Sequence, residues 1–441
     1  MIAPEAAATT PAPPHGSADA ERFLVRAISA LHANGAETER AERRTGQLAR
    51  ALGLDARAVL GWSWSTFLFK SDAGDYAVRG NDAIPDELAL HRVLAVDRII
   101  NDLDSGRVDL TDASDRLRGA TNMPPTHVGL FTVACVAGGC GLGIIFGVHQ
   151  ATALAFIGVC CALGAVVRRG LGKQGANVYA QAFVAALLAG LCGATLSALG
   201  VDSALGLAAL CPCLILVPGP HLLKGVLDMA TLRIPLGASR LVFASIIMVA
   251  VTAGLLTGLW LGQVHLDAAP TGRDVPIWVD VPTAGVLAVA YGVFYGVALR
   301  FFYWPFLVGA AAHALRWMVV EHAHANPWVG AGLACLVVGL VLVPVCERWQ
   351  LPFSALGFAS VVSLIPGVLI FRALAGFVQL PSAPANSSQQ LLVVTVDCAS
   401  SAVLIMSVMA LGFLVADSIW SHSRVFKAVS RSRSDDDSLR T

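Results

Sequence analysis

Charge is scarce in this chain. Only 14% of its 441 residues are Asp, Glu, Lys or Arg, 56% are hydrophobic, and acids and bases balance to a formal net charge of zero. Composition this apolar excludes an ordinary soluble protein. The charge balance removes nucleic acid as a partner, since such binding needs a basic domain or stripe. Cysteine is absent before Cys135, and all ten residues of that type lie between Cys135 and Cys398, inside or beside apolar segments. There a thiol is a small buried hydrophobe, not part of a disulfide framework. Residues 1–20, MIAPEAAATTPAPPHGSADA, have neither a basic start nor an apolar core. They read as a disordered leader instead of a signal peptide.

Catalytic and metal-binding signatures are missing too. The GWSWS run at 61–65 lacks the second glycine of a nucleophile elbow, and no Gly-x-Gly-Asp motif or Ser/His pair at credible spacing occurs. Cys211-Pro212-Cys213 has no second thiol pair and no His-x-x-x-His nearby, so it is not a zinc site. No enzyme, metal or cofactor is expected.

What charge there is lies unevenly. Of the 30 bases and 30 acids, 32 residues precede Thr126, 20 lie from Thr126 to Ser423, and 8 follow. A soluble domain at 21–125 therefore precedes a membrane domain. Apolar residues at three-to-four spacing (Phe23, Leu24, Ala27, Ile28, Leu31) predict a first helix ending at Asn34-Gly35, and a second spans about 36–52. Aromatic-rich runs at 58–70 and 75–79 predict strands, and helices are expected at about 86–103 and 111–118, giving a small α+β domain. The ETERAERR run, Glu37 to Arg44, reads as a solvated helix face with neighbouring opposite charges.

A helix needs about twenty apolar residues to cross a bilayer. Ten segments qualify, near 127–148, 151–167, 178–200, 203–223, 240–262, 282–299, 302–320, 328–346, 352–376 and 391–417. They divide into five-span halves at 126–265 and 281–420, with a disordered tail at 421–441. With both termini cytoplasmic, the inner segments carry Arg168, Arg169, Lys173, Arg233, Arg240, Arg300 and Arg348, plus the basic tail. The outer loops hold little beyond Arg273, as the positive-inside rule requires. Asp280 and a set of tryptophans and tyrosines fall near span ends, the aromatics as interfacial anchors, and His313, His322 and His324 are scattered.

One pattern occurs twice. Leu216-Val217-Pro218-Gly219 interrupts span four and Leu364-Ile365-Pro366-Gly367 interrupts span nine, each followed six residues after the proline by a base, Lys224 or Arg372. Spans four and nine hold the same place in two halves of five. Because five is odd, the second half enters from the opposite side, which predicts an inverted repeat with its binding site at the interrupted helices. Pro removes a donor and Gly permits an irregular turn, so each span is expected to split into half-helices. A half-helix N-terminus suits a carboxylate, and the preceding C-terminal carbonyls suit an ammonium.

Ionisable groups inside spans usually face a water path or a partner. Lys224 and Asp228, spaced i, i+4, suit an ion pair or snorkelling at the inner end. Asp397, inside LLVVTVDCASSAVLIMSVMA, is the leading candidate for a proton carrier or ammonium ligand, with Arg372 a partner across the bundle and Asp228 a second coupling candidate. His221, directly after the first break, suits either titration near neutral pH or a polar helix start.

Two runs, ISALHANGAETERAERRTGQLARALGL and CPCLILVPGPHLLKGVLD, resemble the threonine/serine exporter family, and SALGFASVVSLIPGVLIFRAL is similar to the small partner protein of its split members. The resemblance implies ten spans behind a soluble front domain. It further implies export of threonine and serine driven by the proton motive force, or of a dicarboxylate such as succinate as in split relatives. A channel-like permease is the other reading of broken helices. Expected partners are the small-molecule substrate, protons and the lipid bilayer of the cytoplasmic membrane, and a homo-oligomer is compatible with the sequence.

Overall fold

A computed structural model describes residues 15–71, 74–198, 205–264 and 275–438. The chain divides into two compact units, Met1–Met123 and Pro124–Thr441.

In the first unit, helices α1 (His15–Ala33) and α2 (Thr38–Ala51) precede strands β1 (Asp55–Val59), β2 (Trp64–Lys70) and β3 (Tyr76–Asp82). Helices α3 (Leu90–Asp104) and α4 (Leu110–Thr121) follow. The strands form an antiparallel meander, with Ala58 opposite Phe67 and Phe67 opposite Arg79. The expected strand at 58–70 is thus two strands, because the chain turns at Leu60 to Ser63, where a Cβ on Gly61 would collide with the Trp64 carbonyl. Ser65, Phe67 and Phe69 alternate onto the buried face of β2, and Leu24, Ile28, Leu31, Leu48 and Ile100 complete the core. Gly35 turns the chain between α1 and α2 at φ +84°, a conformation that strains side-chain-bearing residues.

The Glu37 to Arg44 run is not wholly solvated. Arg40 and Arg44 both donate to Asp97 of α3, Arg40 Nη2 to Oδ2 at 2.6 Å and Arg44 Nε to Oδ1 at 2.8 Å, and Asp97 is buried. Helical spacing put the two arginines on one face, but only the fold brings a carboxylate to that face.

The second unit is all helix: α5 (Val128–Ile145), α6 (Ala151–Lys173), α7 (Val178–Ala198), α8 (Leu205–Leu214), α9 (Gly219–Ala230) and α10 (Ile234–Leu261), then α11 (Ile277–Phe294), α12 (Tyr303–Trp317), α13 (Pro327–Arg348), α14 (Phe353–Ser360), α15 (Gly367–Gln379) and α16 (Ala385–Ser438). Eight segments among the described residues are long and apolar enough to cross a membrane. Expected span four falls short because it is divided between α8 and α9. Expected span seven falls short because α12 gives way to a π-helical turn at Met318–His322. Residues 421–438, expected as disordered tail, continue α16, since no proline follows Pro384 to end it. At the other end α1 begins at His15, inside the expected leader, of which residues 1–14 lie outside the described residues.

Packing partners recur along the unit. α5 lies on α6 as α11 lies on α12, α7 on α10 as α13 on α16, and α9 on α10 as α15 on α16, while α5 meets α11. The two long crossings use small residues in the same way. A Cβ on Gly254 or Gly258 of α10 would fall on the Phe183 or Leu187 carbonyl of α7, and one on Gly412 of α16 would fall 2.5 Å from the Gly332 carbonyl of α13. Without side chains at these points the backbones approach closely, the main source of helix association in lipid.

Candidate functional site

The two breaks have the same local geometry. Pro218 sits at φ −78°, ψ 54°, and Pro366 at φ −79°, ψ 47°. Gly219 N–H donates to the Val217 carbonyl at 2.8 Å and Gly367 N–H to the Ile365 carbonyl at 2.8 Å. Each proline is thus the centre of an inverse γ-turn, whose φ its ring fixes in advance.

The turns also meet. A Cβ on Gly219 would lie 2.6 Å from Ile365 Cδ1, and one on Gly367 would lie 2.9 Å from Leu214 Cδ2 and 3.3 Å from Val217 Cγ2. The residue preceding each proline therefore packs over the glycine of the other break. Between them is a cavity of about 30 Å³ lined by Leu214, Val217, Gly219, Tyr291, Ser363, Ile365, Gly367 and Val368. That is room for a water and too little for an amino acid.

Freed backbone groups are handled unequally at the two breaks. Where α8 ends, Tyr291 of α11 donates its hydroxyl to the Leu214 carbonyl at 3.2 Å. At the start of α9, His221 and Leu222 N–H both return to the Pro218 carbonyl, Gly219 is bonded in the turn, and Pro220 has no N–H to offer. At the start of α15, Gly367 and Ile370 N–H are bonded in the same way, whereas Val368 and Leu369 have no such bond. Of these residues, Val368 is one that lines the cavity.

The sequence-derived candidates separate into three groups. Pro218, Gly219, Pro366 and Gly367 converge at the paired turns. His221, Lys224 and Asp228 are buried along α9. The His221 ring packs edge-on against Phe243 at 5.0 Å, and Lys224 Nζ stands 5.7 Å above the Phe358 ring. Asp228 accepts from Nε of Arg240 at 2.8 Å; Arg240 is 1% exposed, and its Nη1 and Nη2 have no hydrogen-bond partner among the described residues. Arg372 and Asp397 form the third group, one on α15 and the other on α16, which pack together. Asp397 is exposed and does not line the cavity.

Sequence reasoning missed one cluster. Asp280 is fully buried in the first turn of α11, and its Oδ2 lies 3.0 Å from Nε2 of His313 on α12. His313 Nδ1 lies 3.1 Å from Oγ of Ser363, which stands in the 3₁₀ turn Val362–Leu364 and lines the cavity. The three residues are 33 and 50 positions apart, so no local motif announces them. The one sequence signal was an aspartate within an expected apolar span boundary.

Comparison with known proteins supplies the family. Residues 22–262 match the family model of the threonine/serine exporter, and residues 280–419 match a second model, described as "Threonine/Serine exporter, ThrE". Curated proteins and solved structures give no match. With both models matched in one polypeptide, the chain belongs to the threonine/serine exporter family in its fused form.

Proposed function

We propose that this protein exports small hydrophilic amino acids, threonine and serine, across the cytoplasmic membrane in exchange for protons, by alternating access at the paired helix breaks. The observation that carries the reading is the meeting of two equivalent inverse γ-turns around one cavity, each filling the glycine gap of the other. Irregular backbone at membrane depth is stable only where protein or a water-lined path satisfies it. Pairing two such breaks is the arrangement of transporters built from inverted repeats. The recurrence of the same helix pairs in 126–265 and 281–420 supports such a repeat, with ten crossings if the divided and shortened segments also span.

In this scheme the substrate carboxylate meets the Val368 and Leu369 N–H groups at the positive end of α15, and the ammonium meets carbonyl oxygens freed where α8 ends. Because the cavity holds only a water, Val217 and Ile365 must part to admit substrate, from the cytoplasm in one state and to the outside in the other. Both termini are cytoplasmic in this reading.

A dicarboxylate such as succinate is the second reading, favoured by one observation. Lys224 and Arg240 are both buried, and the two outer nitrogens of Arg240 have no hydrogen-bond partner among the described residues, which suits a second carboxylate. Counterflow in proteoliposomes distinguishes these outcomes. Labelled threonine, serine and succinate are each offered to vesicles loaded with the unlabelled compound, with and without a pH gradient. Saturable threonine and serine exchange is expected, together with net threonine and serine movement that an imposed pH gradient drives. Succinate exchange alone assigns the second reading, non-saturable flux assigns a channel, and no flux removes the transport proposal.

A further inference from the structure

The transport scheme needs a group that takes up a proton and alters the substrate cavity. The Asp280, His313 and Ser363 chain has the connectivity for this. Its two inner members are buried in the membrane unit, Asp280 completely and His313 to 1% exposure. Its outer member lines the cavity between the breaks.

Hydrogen-bond capacity fixes how the chain works. An ionised Asp280 only accepts, so neutral His313 carries its hydrogen on Nε2 and donates to Oδ2. Nδ1 is then an acceptor, and the Ser363 hydroxyl must donate to it. When one proton is added, Nδ1 becomes a donor as well. The Nδ1–H now points at Ser363 Oγ, and the serine hydrogen must turn away to another acceptor. Protonation thus reverses one hydrogen bond and reorients the hydroxyl of a residue that lines the cavity, with no bond broken other than that of the arriving proton to its carrier.

We propose that Asp280 and His313 are the proton-carrying pair of the exporter, and that Ser363 transmits their protonation state to the cavity at the paired breaks. The proposal rests on the export reading above and assigns it a coupling site. A proton entering from outside neutralises the pair; its release to the cytoplasm restores the Ser363 donor to His313. Ser363 lies three residues before Pro366, so the hydroxyl acts on the turn that must open.

The charged surroundings are few. α11 packs on α5, α12, α14 and the 3₁₀ turn, and α12 packs also on α13 and the π-helical turn. Within the spans these elements carry Arg316, one turn beyond His313 and packed on Gly330 of α13, together with Tyr291, Tyr303 and the thiols of Cys135, Cys140, Cys335 and Cys346. Arg300, Glu321, His322, Glu347 and Arg348 are exposed, and α14 and the 3₁₀ turn carry no ionisable side chain. An Asp, His and Ser in series also describes a hydrolytic nucleophile, which would leave Ser363 open to covalent labelling.

The test uses the full chain in proteoliposomes with a trapped pH-sensitive dye. Threonine-for-threonine counterflow needs no net proton transfer, whereas uptake driven by an imposed pH gradient does. Asp280→Asn and His313→Gln are expected to lower gradient-driven uptake at least about tenfold and counterflow by no more than about threefold, with Asp280→Glu retaining coupling. Ser363→Ala is expected to weaken gradient-driven uptake and Ser363→Thr to restore it. Coupling that survives in both Asp280→Asn and His313→Gln overturns the proposal, as does loss of coupling confined to Asp397→Asn. Equal loss of counterflow and coupling in the pair assigns it a structural role and also overturns it, as does covalent labelling of Ser363 by a fluorophosphonate. Failure of the unmodified protein to exchange threonine or serine refutes the export reading instead.

Discussion

Removing the Asp228 carboxylate asks whether the α9–α10 interface is held by charge balance or by packing. Arg240 Nε meets Asp228 Oδ2 at 2.8 Å, and the two side chains are 1% and 9% exposed. Lys224, one turn earlier on α9, is buried as well, so Asp228→Ala leaves two cations in an apolar region. Breaking a buried pair from one side costs about 3–5 kcal/mol, because the partner charge remains desolvated. Arg240→Met is expected to cost less, about 2 kcal/mol, because Lys224 stays at i, i+4 spacing to balance the aspartate. The double variant removes one of the two cations, the one bonded to Asp228, and its cost should fall below the sum of the single costs by at least about 2 kcal/mol. Unfolding in mixed micelles with increasing sodium dodecyl sulfate, followed through the chain's nine tryptophans, measures all four corners of this cycle. Strictly additive single effects, with coupling under about 0.5 kcal/mol, would refute the reasoning and reduce the pair to a spatial coincidence.

Other consequences are more local. Gly258→Ala and Gly412→Ala force α10 off α7 and α16 off α13, and each is expected to cost about 1–3 kcal/mol, seen as a lower midpoint in detergent thermostability measurements. Tyr291→Phe deprives the buried Leu214 carbonyl of its side-chain donor. A loss of about 1–3 kcal/mol is expected, with faster hydrogen exchange confined to the end of α8; unchanged exchange there would contradict the role given to the hydroxyl. Asp97→Ala removes the carboxylate shared by Arg40 and Arg44 and is expected to destabilise the front unit by about 1–3 kcal/mol, read as accelerated hydrogen exchange in α2 and α3 with the membrane helices unaffected.

What the sequence made legible follows from how locally each feature is encoded. Pro-Gly inside an apolar run breaks a helix wherever it stands, so the divisions at Pro218 and Pro366 were readable, as was their likeness. That Ile365 fills the gap at Gly219 was not readable, because reciprocal packing depends on the relative placement of segments 146 residues apart. Charges near span ends were the hardest. Asp280 read only as a charge near a span end, because its partner His313 lies 33 positions along the chain and the fold alone closes α12 over it. Asp397 read as an intramembrane candidate because it lies inside the run LLVVTVDCASSAVLIMSVMA, yet a long uniform helix does not reveal which face it turns to its neighbours. In the front unit the aromatic run at 58–70 carried a strong strand signal that hid its own turn, since Gly61 was outweighed by the β-formers on either side.

The reciprocal filling of the two breaks bears on how this molecule is made. A polypeptide emerges from its N-terminal end, so the turn at Pro218 is synthesised and inserted well before Ile365 exists to occupy the gap at Gly219. Until then the freed backbone and the small hole beside it face lipid, water or an insertion factor. The nascent first half is therefore an unfinished surface awaiting one side chain, and the paired turns are complete only when Ile365 has left the ribosome and docked.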